Sequence, residues 1–95
     1  MISFIVRLRF APEDRSAIAE VLRQLATESR REEGCITYIP HLLDDNPDAV
    51  IIYEQYRDEQ ALAAHQGSEH FRKYAVGGLY QKMLDRTVEN LSALI

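Results

Sequence analysis

Residues 54–74, "EQYRDEQALAAHQGSEHFRKY", hold two of the chain's three histidines, three of its aromatics and a glutamate that reads as buried. In the preceding run "AVIIYEQY", strand alternation puts Val50, Ile52, Glu54 and Tyr56 on one face, and Ile51, Tyr53, Gln55 and Arg57 on the other. Glu54 therefore interrupts an apolar row. A carboxylate there is paired, hydrogen-bonded or raised in pKa, and each condition also makes a proton-transfer group. A salt bridge within the sheet or a dimer would satisfy the same residue. His65 follows Ala61 by one helical turn, so its imidazole leaves the helix on the side facing the sheet, where it can accept a proton near neutral pH. Capping the last carbonyls of its own helix is the structural alternative. Tyr38, Tyr56 and Tyr74 each combine aromatic surface with a phenol, so they can fill a core or offer a donor to a pocket. His70, beside Glu69 near the start of the next helix, and His41, beside a hairpin turn, read as solvent-facing.

Other chemistries find little footing. His65 and His70 are five apart across Gly67, so they do not share a helix face as ligands four apart would, and there is no HExxH; no metal site is expected. Gly77-Gly78 lacks the context of a phosphate-binding loop, and no GxSxG is present. Cys35 is the single cysteine and reads as strand packing, which leaves no intrachain disulfide.

The elements that must position these groups follow from periodicity. "MISFIVRLRF" alternates Ile2, Phe4, Val6, Leu8 and Phe10 with Ser3, Ile5, Arg7 and Arg9, a strand with unlike faces. A helix opening at Pro12 carries Ile18, Val21, Leu22, Leu25 and Ser29, and Gly34 is expected to stop it. Cys35 to about Leu43 and "AVIIYEQY" form a hairpin around "DDNPD". Asp58 caps a helix through His65 that Gly67 ends, Ser68 caps another carrying Phe71 and Tyr74, "LYQKMLD" resumes helix after Gly77-Gly78, and "RTVENLSALI" is the last strand. The predicted class is α+β: a single ferredoxin-like βαββαβ domain over 1–95, a four-stranded antiparallel sheet with helices on one face. Its other face is partly apolar, so two sheets pressed together as a symmetric homodimer are expected.

With 95 residues the core is small, which also favours a partner subunit. A net charge of −4, with eleven basic residues scattered among fifteen acids, argues against nucleic acid and membrane surfaces. Arg7 and Arg9 break the apolar start, so it reads as neither signal peptide nor spanning segment, and a cytoplasmic location is expected.

The runs "REEGCITY" and "VIIYEQYRDEQALAAHQGSEHF" resemble the antibiotic biosynthesis monooxygenase domain: Gly-Cys entering the second strand, Glu-x-aromatic ending the third, an acid-capped helix ending in His, then Ser-x-His-Phe. The resemblance covers nearly the whole chain. It implies a dimeric α/β barrel with a pocket in each protomer, and cofactor-independent oxidation of a small phenol, anthrone or hydroquinone to a quinone by O2. It assigns His65 the base or a substrate hydrogen bond, Glu54 its orientation or a proton relay, and Tyr38 and Tyr56 donor and stacking roles; Ile52, Phe71 and Tyr74 are further expected substrate contacts. The chain has no Trp, and Tyr56 stands where members often carry one. The positions a haem-degrading relative would use hold Ser3, His65 and Tyr74, which disfavours that activity. A keto–enol isomerase or quinone-handling enzyme using the same His/Glu pair, or a non-catalytic binding dimer, are the alternatives.

Overall fold

A computed structural model describes residues 1–95. The chain runs β1 (Ile2–Phe10), a 3-10 turn (Pro12–Asp14), α1 (Arg15–Ser29), β2 (Cys35–Leu43), β3 (Asn46–Tyr56), α2 (Glu59–Gln66), a π-helix (Phe71–Leu79), α3 (Tyr80–Lys82) and β4 (Met83–Leu91). The antiparallel sheet has the order β2-β3-β1-β4, the ferredoxin-like arrangement. No helix is long and apolar enough to cross a membrane.

The alternation read from the sequence sets the register. Phe4, Val6 and Leu8 lie opposite Glu54, Ile52 and Val50, and all six are buried beneath the helices. Ile18, Leu22 and Leu25 of α1, with Ala75 and Leu79 of the π-helix, close this core from above. Each fully buried aliphatic side chain stabilises the fold by about 1.5–3 kcal/mol relative to exposure. The reverse face presents Ile5, Ile51 and Tyr53 half-buried and Ile39 and Leu91 exposed, with no second layer over it.

Four expectations are corrected. Gly34 does not stop α1, whose C-cap is Arg30, and its φ is not positive. A Cβ there would lie 2.3 Å from the Ala61 Cβ, so this glycine permits the close approach of α2. Pro12 opens a 3-10 turn, and the α-helix proper begins at Arg15. Gly77-Gly78 interrupts nothing: the π-helix passes through both, and a Cβ on Gly78 would come within 3.0 Å of Val21 Cγ1 on α1. Helix therefore ends at Lys82, and β4 starts at Met83 and finishes at Leu91, earlier than the strand expected at 86–95. The sheet edges are β2, with Pro40 and register shifts at Cys35/Thr37 and Leu42/Leu43, and β4, with Asp85, Arg86 and Glu89.

Candidate active site

Glu54 and Tyr56 are two apart on β3, so both point into the helix layer, and Tyr56 Oη donates to Glu54 Oε1 at 2.6 Å. Tyr56 has no exposed surface, and its ring stacks on Phe4 with centroids 6.0 Å apart. Burial raises the Glu54 carboxyl above its ordinary value and outweighs the Tyr56 hydrogen bond and the positive groups His65 and Arg86 that favour ionisation. The phenols of Tyr38 and Tyr56 are also pushed up, first by burial and then by the Glu54 charge, so both remain hydrogen-bond donors.

α2 delivers His65. Asp58 caps the helix by accepting from Ala61 N at 2.8 Å, and one turn later the His65 ring enters the core with 3% of its side chain exposed. It sits between Tyr56 and Phe71, at centroid distances of 5.0 and 5.1 Å. Nε2 of His65 is 3.9 Å from Glu54 Oε1, beyond hydrogen-bond range and wide enough for a bridging atom. Nδ1 lies 2.8 Å from Glu32 Oε2.

Glu32 has no counterpart in the sequence reading. It sits in the turns between α1 and β2, held by Glu32 N to Ser29 O at 3.1 Å and Cys35 N to Glu32 O at 3.2 Å. Arg30 ties the same loop to the sheet by donating Nε to Tyr38 O at 2.9 Å. Within "RREEG" an acid among arginines reads as solvated; the tight Gly34–Ala61 approach and the Arg57 N–H donating to Gly34 O at 2.8 Å bring the loop against α2. Burial acts to raise the Glu32 carboxyl, but hydrogen bonds from His65 and His70 hold it below its ordinary value. An ionised carboxylate only accepts, so Nδ1 of His65 donates to Glu32 and Nε2 is the ring nitrogen left facing Glu54 and the cavity.

His70 is not solvated as its position implied. After Gly67, Ser68 donates Oγ–H to His65 O at 2.6 Å and accepts from Phe71 N at 3.2 Å, turning the chain so that His70 Nε2 meets the same Glu32 oxygen. The break that separates the two histidines along the helix thus brings them together in space. Glu32, His65 and His70 place one ligand atom each within 4.8 Å of one another, although helical spacing argued against such a grouping.

The cavity between sheet and helices has a free volume of about 50 Å³. His65, Glu54, Tyr38, Ile52 and Phe71 all line it, as do Tyr80 and Arg86, which the sequence reading passed over. Arg86 belongs to β4 opposite Leu8 and lies 5.5 Å from the Tyr80 ring centroid. Tyr56 and Tyr74 do not line it: Tyr56 stands behind Glu54, and half-buried Tyr74 lies 5.1 Å beneath Lys73 Nζ. A wider depression of about 430 Å³ between α1 and β2 contains His41, Arg23 and Arg30 but no carboxylate. Cys35, whose thiol burial and the Glu32 and Glu54 charges push up to about 11, is a thiol and no nucleophile at neutral pH.

One imidazole is therefore flanked by two carboxyls whose surroundings push them in opposite directions, Glu32 toward ionisation and Glu54 toward protonation. Such a divergence equips a site with a base and an acid.

The model of the family described as "Antibiotic biosynthesis monooxygenase" matches residues 1–76. Rv0793 of Mycobacterium tuberculosis, named "Putative monooxygenase", is 33% identical over 89 residues, 92% of this chain and 87% of that protein. Its solved structure superposes with a TM-score of 0.88 at 28% identity, covering 99% of this chain and 95% of the other. The crystal structure of PA3566 from Pseudomonas aeruginosa gives 0.90 at 30% identity over 99% and 94% of the two chains. By its sequence match, its relatives and its fold, the chain belongs to the antibiotic biosynthesis monooxygenase family.

Proposed function

We propose that this chain is a monooxygenase that converts a small phenol, hydroquinone or anthrone to a quinone with O2, using His65 as base. The observation that carries the reading is the Glu32–His65 pair, in which Nδ1 meets Glu32 Oε2 at 2.8 Å while the ring lines a mostly apolar cavity shared with Glu54. Family membership supports the oxygen chemistry.

His65 Nε2 takes a proton from the substrate O–H or activated C–H, and the imidazolium is stabilised by ionised Glu32. Arg86 and the Tyr38 phenol, both at the cavity, steady the resulting anion. The electron-rich anion reduces O2 by one electron, and recombination of the two radicals forms a C–O bond to a peroxide. Glu54, biased toward its protonated form, donates to the distal oxygen as the O–O bond breaks. The carboxylate left on Glu54 takes the remaining proton from the oxygenated carbon, so one oxygen atom stays as the quinone carbonyl and the other leaves as hydroxide, which the His65 imidazolium protonates to water; a hydroquinone oxygenated at a ring C–H ends as a hydroxyquinone. The dry, apolar walls of Phe4, Val6, Leu8 and Leu79 keep bulk water from the anion. Tyr56 acts through Glu54 as a positioning residue.

A free volume of about 50 Å³ holds a water or two, so substrate entry displaces the segment carrying Leu62, Phe71 and Leu79. A single-ring substrate needs less displacement than a polycyclic one. The partly apolar reverse face is assigned to a second copy, giving a homodimer with one cavity per protomer.

The test is oxygen uptake by purified protein with hydroquinones and anthrones. His65→Ala is expected to lower the rate above autoxidation by about 10²–10⁴-fold. Uptake equal to autoxidation in the native protein would refute the oxygenase reading. A keto–enol isomerase is the second reading, favoured by the acid Glu54 lying 3.9 Å from the base on one cavity. It predicts anaerobic exchange of the substrate's enolisable hydrogen with deuterated water. Ligand binding without either reaction would leave a non-catalytic sensor.

A further inference from the structure

We propose that Glu32, His65 and His70 form a divalent-cation site, and that Zn²⁺ there switches His65 from proton acceptor to proton donor. The switch rests on the assignment of His65 as the base; the binding site does not.

The three side chains come from three separate segments, the loop after α1, the end of α2 and the turn after Ser68, and they converge on a common point. As a hydrogen-bond arrangement it is lopsided. Both imidazoles address Oε2 of Glu32, while Oε1 is buried with no partner. A buried acceptor left empty costs about 1–3 kcal/mol. A cation centred among the three groups has use for both carboxylate oxygens, and it removes the crowding of two donors on one. Donors that all lie within 4.8 Å of one another are close to the roughly 3.3 Å that separates ligands around a tetrahedral ion with bonds of about 2.0–2.1 Å. Two imidazoles and a carboxylate suit Zn²⁺ and leave a fourth position for water. His70, with 21% of its side chain exposed against 3% for His65, gives the ion a route in from solvent.

The consequence follows from proton counting. With Glu32 Oε2 at 2.8 Å as acceptor, Nδ1 of His65 carries a hydrogen, and whenever the ring holds a single hydrogen the lone pair is on Nε2. An ion bound at Nδ1 needs that lone pair there, so the hydrogen moves to Nε2, with no net gain or loss of protons. Nε2–H then faces the cavity and Glu54, and it donates where it had accepted. The bound ion inhibits by changing the tautomer of the base without occupying the substrate cavity.

The experiment titrates the native chain with Zn²⁺ alone, calorimetrically in chelator-free buffer, and reads the histidine tautomers from ¹⁵N shifts. Expected are one ion per chain, affinity weakened at least about tenfold in both His70→Ala and Glu32→Gln, and no change in His41→Ala, which lies on the opposite sheet face. The His65 signals should move from Nδ1–H to Nε2–H and return with EDTA. Circular dichroism checks that each variant is folded, and X-ray absorption of the native complex reports the imidazole ligands should a variant fail to fold. Absence of binding, binding undiminished in both folded variants, or an absorption spectrum without imidazole would overturn the site. Binding with His65 left as Nδ1–H would overturn the switch. If no oxygen uptake is found but the ion binds and the tautomer moves, the site and switch stand and the oxygenase reading falls alone.

Discussion

Gly34→Ala tests how the fold builds the site, because one methyl group is added where α2 and the β2 entry touch. The new Cβ would lie 2.3 Å from the Ala61 Cβ, whereas aliphatic carbons rest at about 3.5–4.0 Å. About 1.5 Å must therefore be made up by movement of α2 or of the Glu32 loop. The φ of Gly34 is not positive, so alanine suffers no backbone penalty and the steric effect is isolated. Overpacking costs about 1–3 kcal/mol. The stiffer unfolded chain returns about 0.4–1. A net loss of about 0–2.6 kcal/mol is expected in urea denaturation. Activity should fall further than stability accounts for, because His65 lies on α2 one turn from Ala61 and its Glu32 partner lies on the opposing loop. Displacement of a reacting group by about 1 Å can cost about 10²-fold in rate. Ala61→Gly, which costs about 1 kcal/mol alone as a helix glycine, should recover both losses in the Gly34→Ala background. Additive losses in the double mutant would refute the steric account.

Four further outcomes are expected. Glu54 is raised above its ordinary value of 4.5, so between that pH and its folded value the native chain binds more protons than the unfolded one. Its contribution to stability therefore declines as pH rises through that window; Glu54→Gln should remove this decline, and identical urea midpoint profiles from pH 4.5 upward would contradict it. Tyr56→Phe strips Glu54 of a 2.6 Å hydrogen bond; a loss of about 1–3 kcal/mol at neutral pH is expected by chemical denaturation, and an unchanged midpoint would argue against the bond's importance. Alkylation of Cys35 by iodoacetamide should be slow at pH 7 and keep accelerating toward about pH 11; a plateau near pH 8.5 would mean an unperturbed thiol. Tyr53→Asp puts a charge in the centre of the reverse face and should weaken the proposed dimer toward monomer in sedimentation relative to the native chain; a dimer of unchanged affinity would place the interface elsewhere.

Local periodicity carried much of the architecture. Alternation along "MISFIVRLRF" and "AVIIYEQY" decides which residues face the helices, and the burial of Glu54 follows from it; that of His65 follows from its place one helical turn after buried Ala61. The parts that escaped depend on contacts between segments distant in the chain. Nothing near Glu32 distinguishes it from the exposed Glu33; the packing of Gly34 on Ala61, 27 residues later in the chain, and the Arg57 N–H bond to Gly34 O turn it toward His65. His70 reads as surface until Ser68 folds its turn back on the end of α2. Arg86 was placed at a strand's beginning, where its face could not be read, because no glycine or proline marks the passage from Lys82 to Met83. The π-helix had no signal either, since Gly78, half of the pair that argues for a break, is instead what lets the segment lie close to Val21.

The edges of the sheet decide how copies of this chain can meet. Pro40 on the outermost strand has no N–H to offer a further strand, and the register shifts at both ends of β2 spoil the straight ladder that such a strand would need. At the far edge, β4 presents Asp85, Arg86 and Glu89 along its length. Open edges so blunted do not extend into a longer ribbon, so the protein should remain clear in solution at concentrations where a bare edge of equal length would seed fibres.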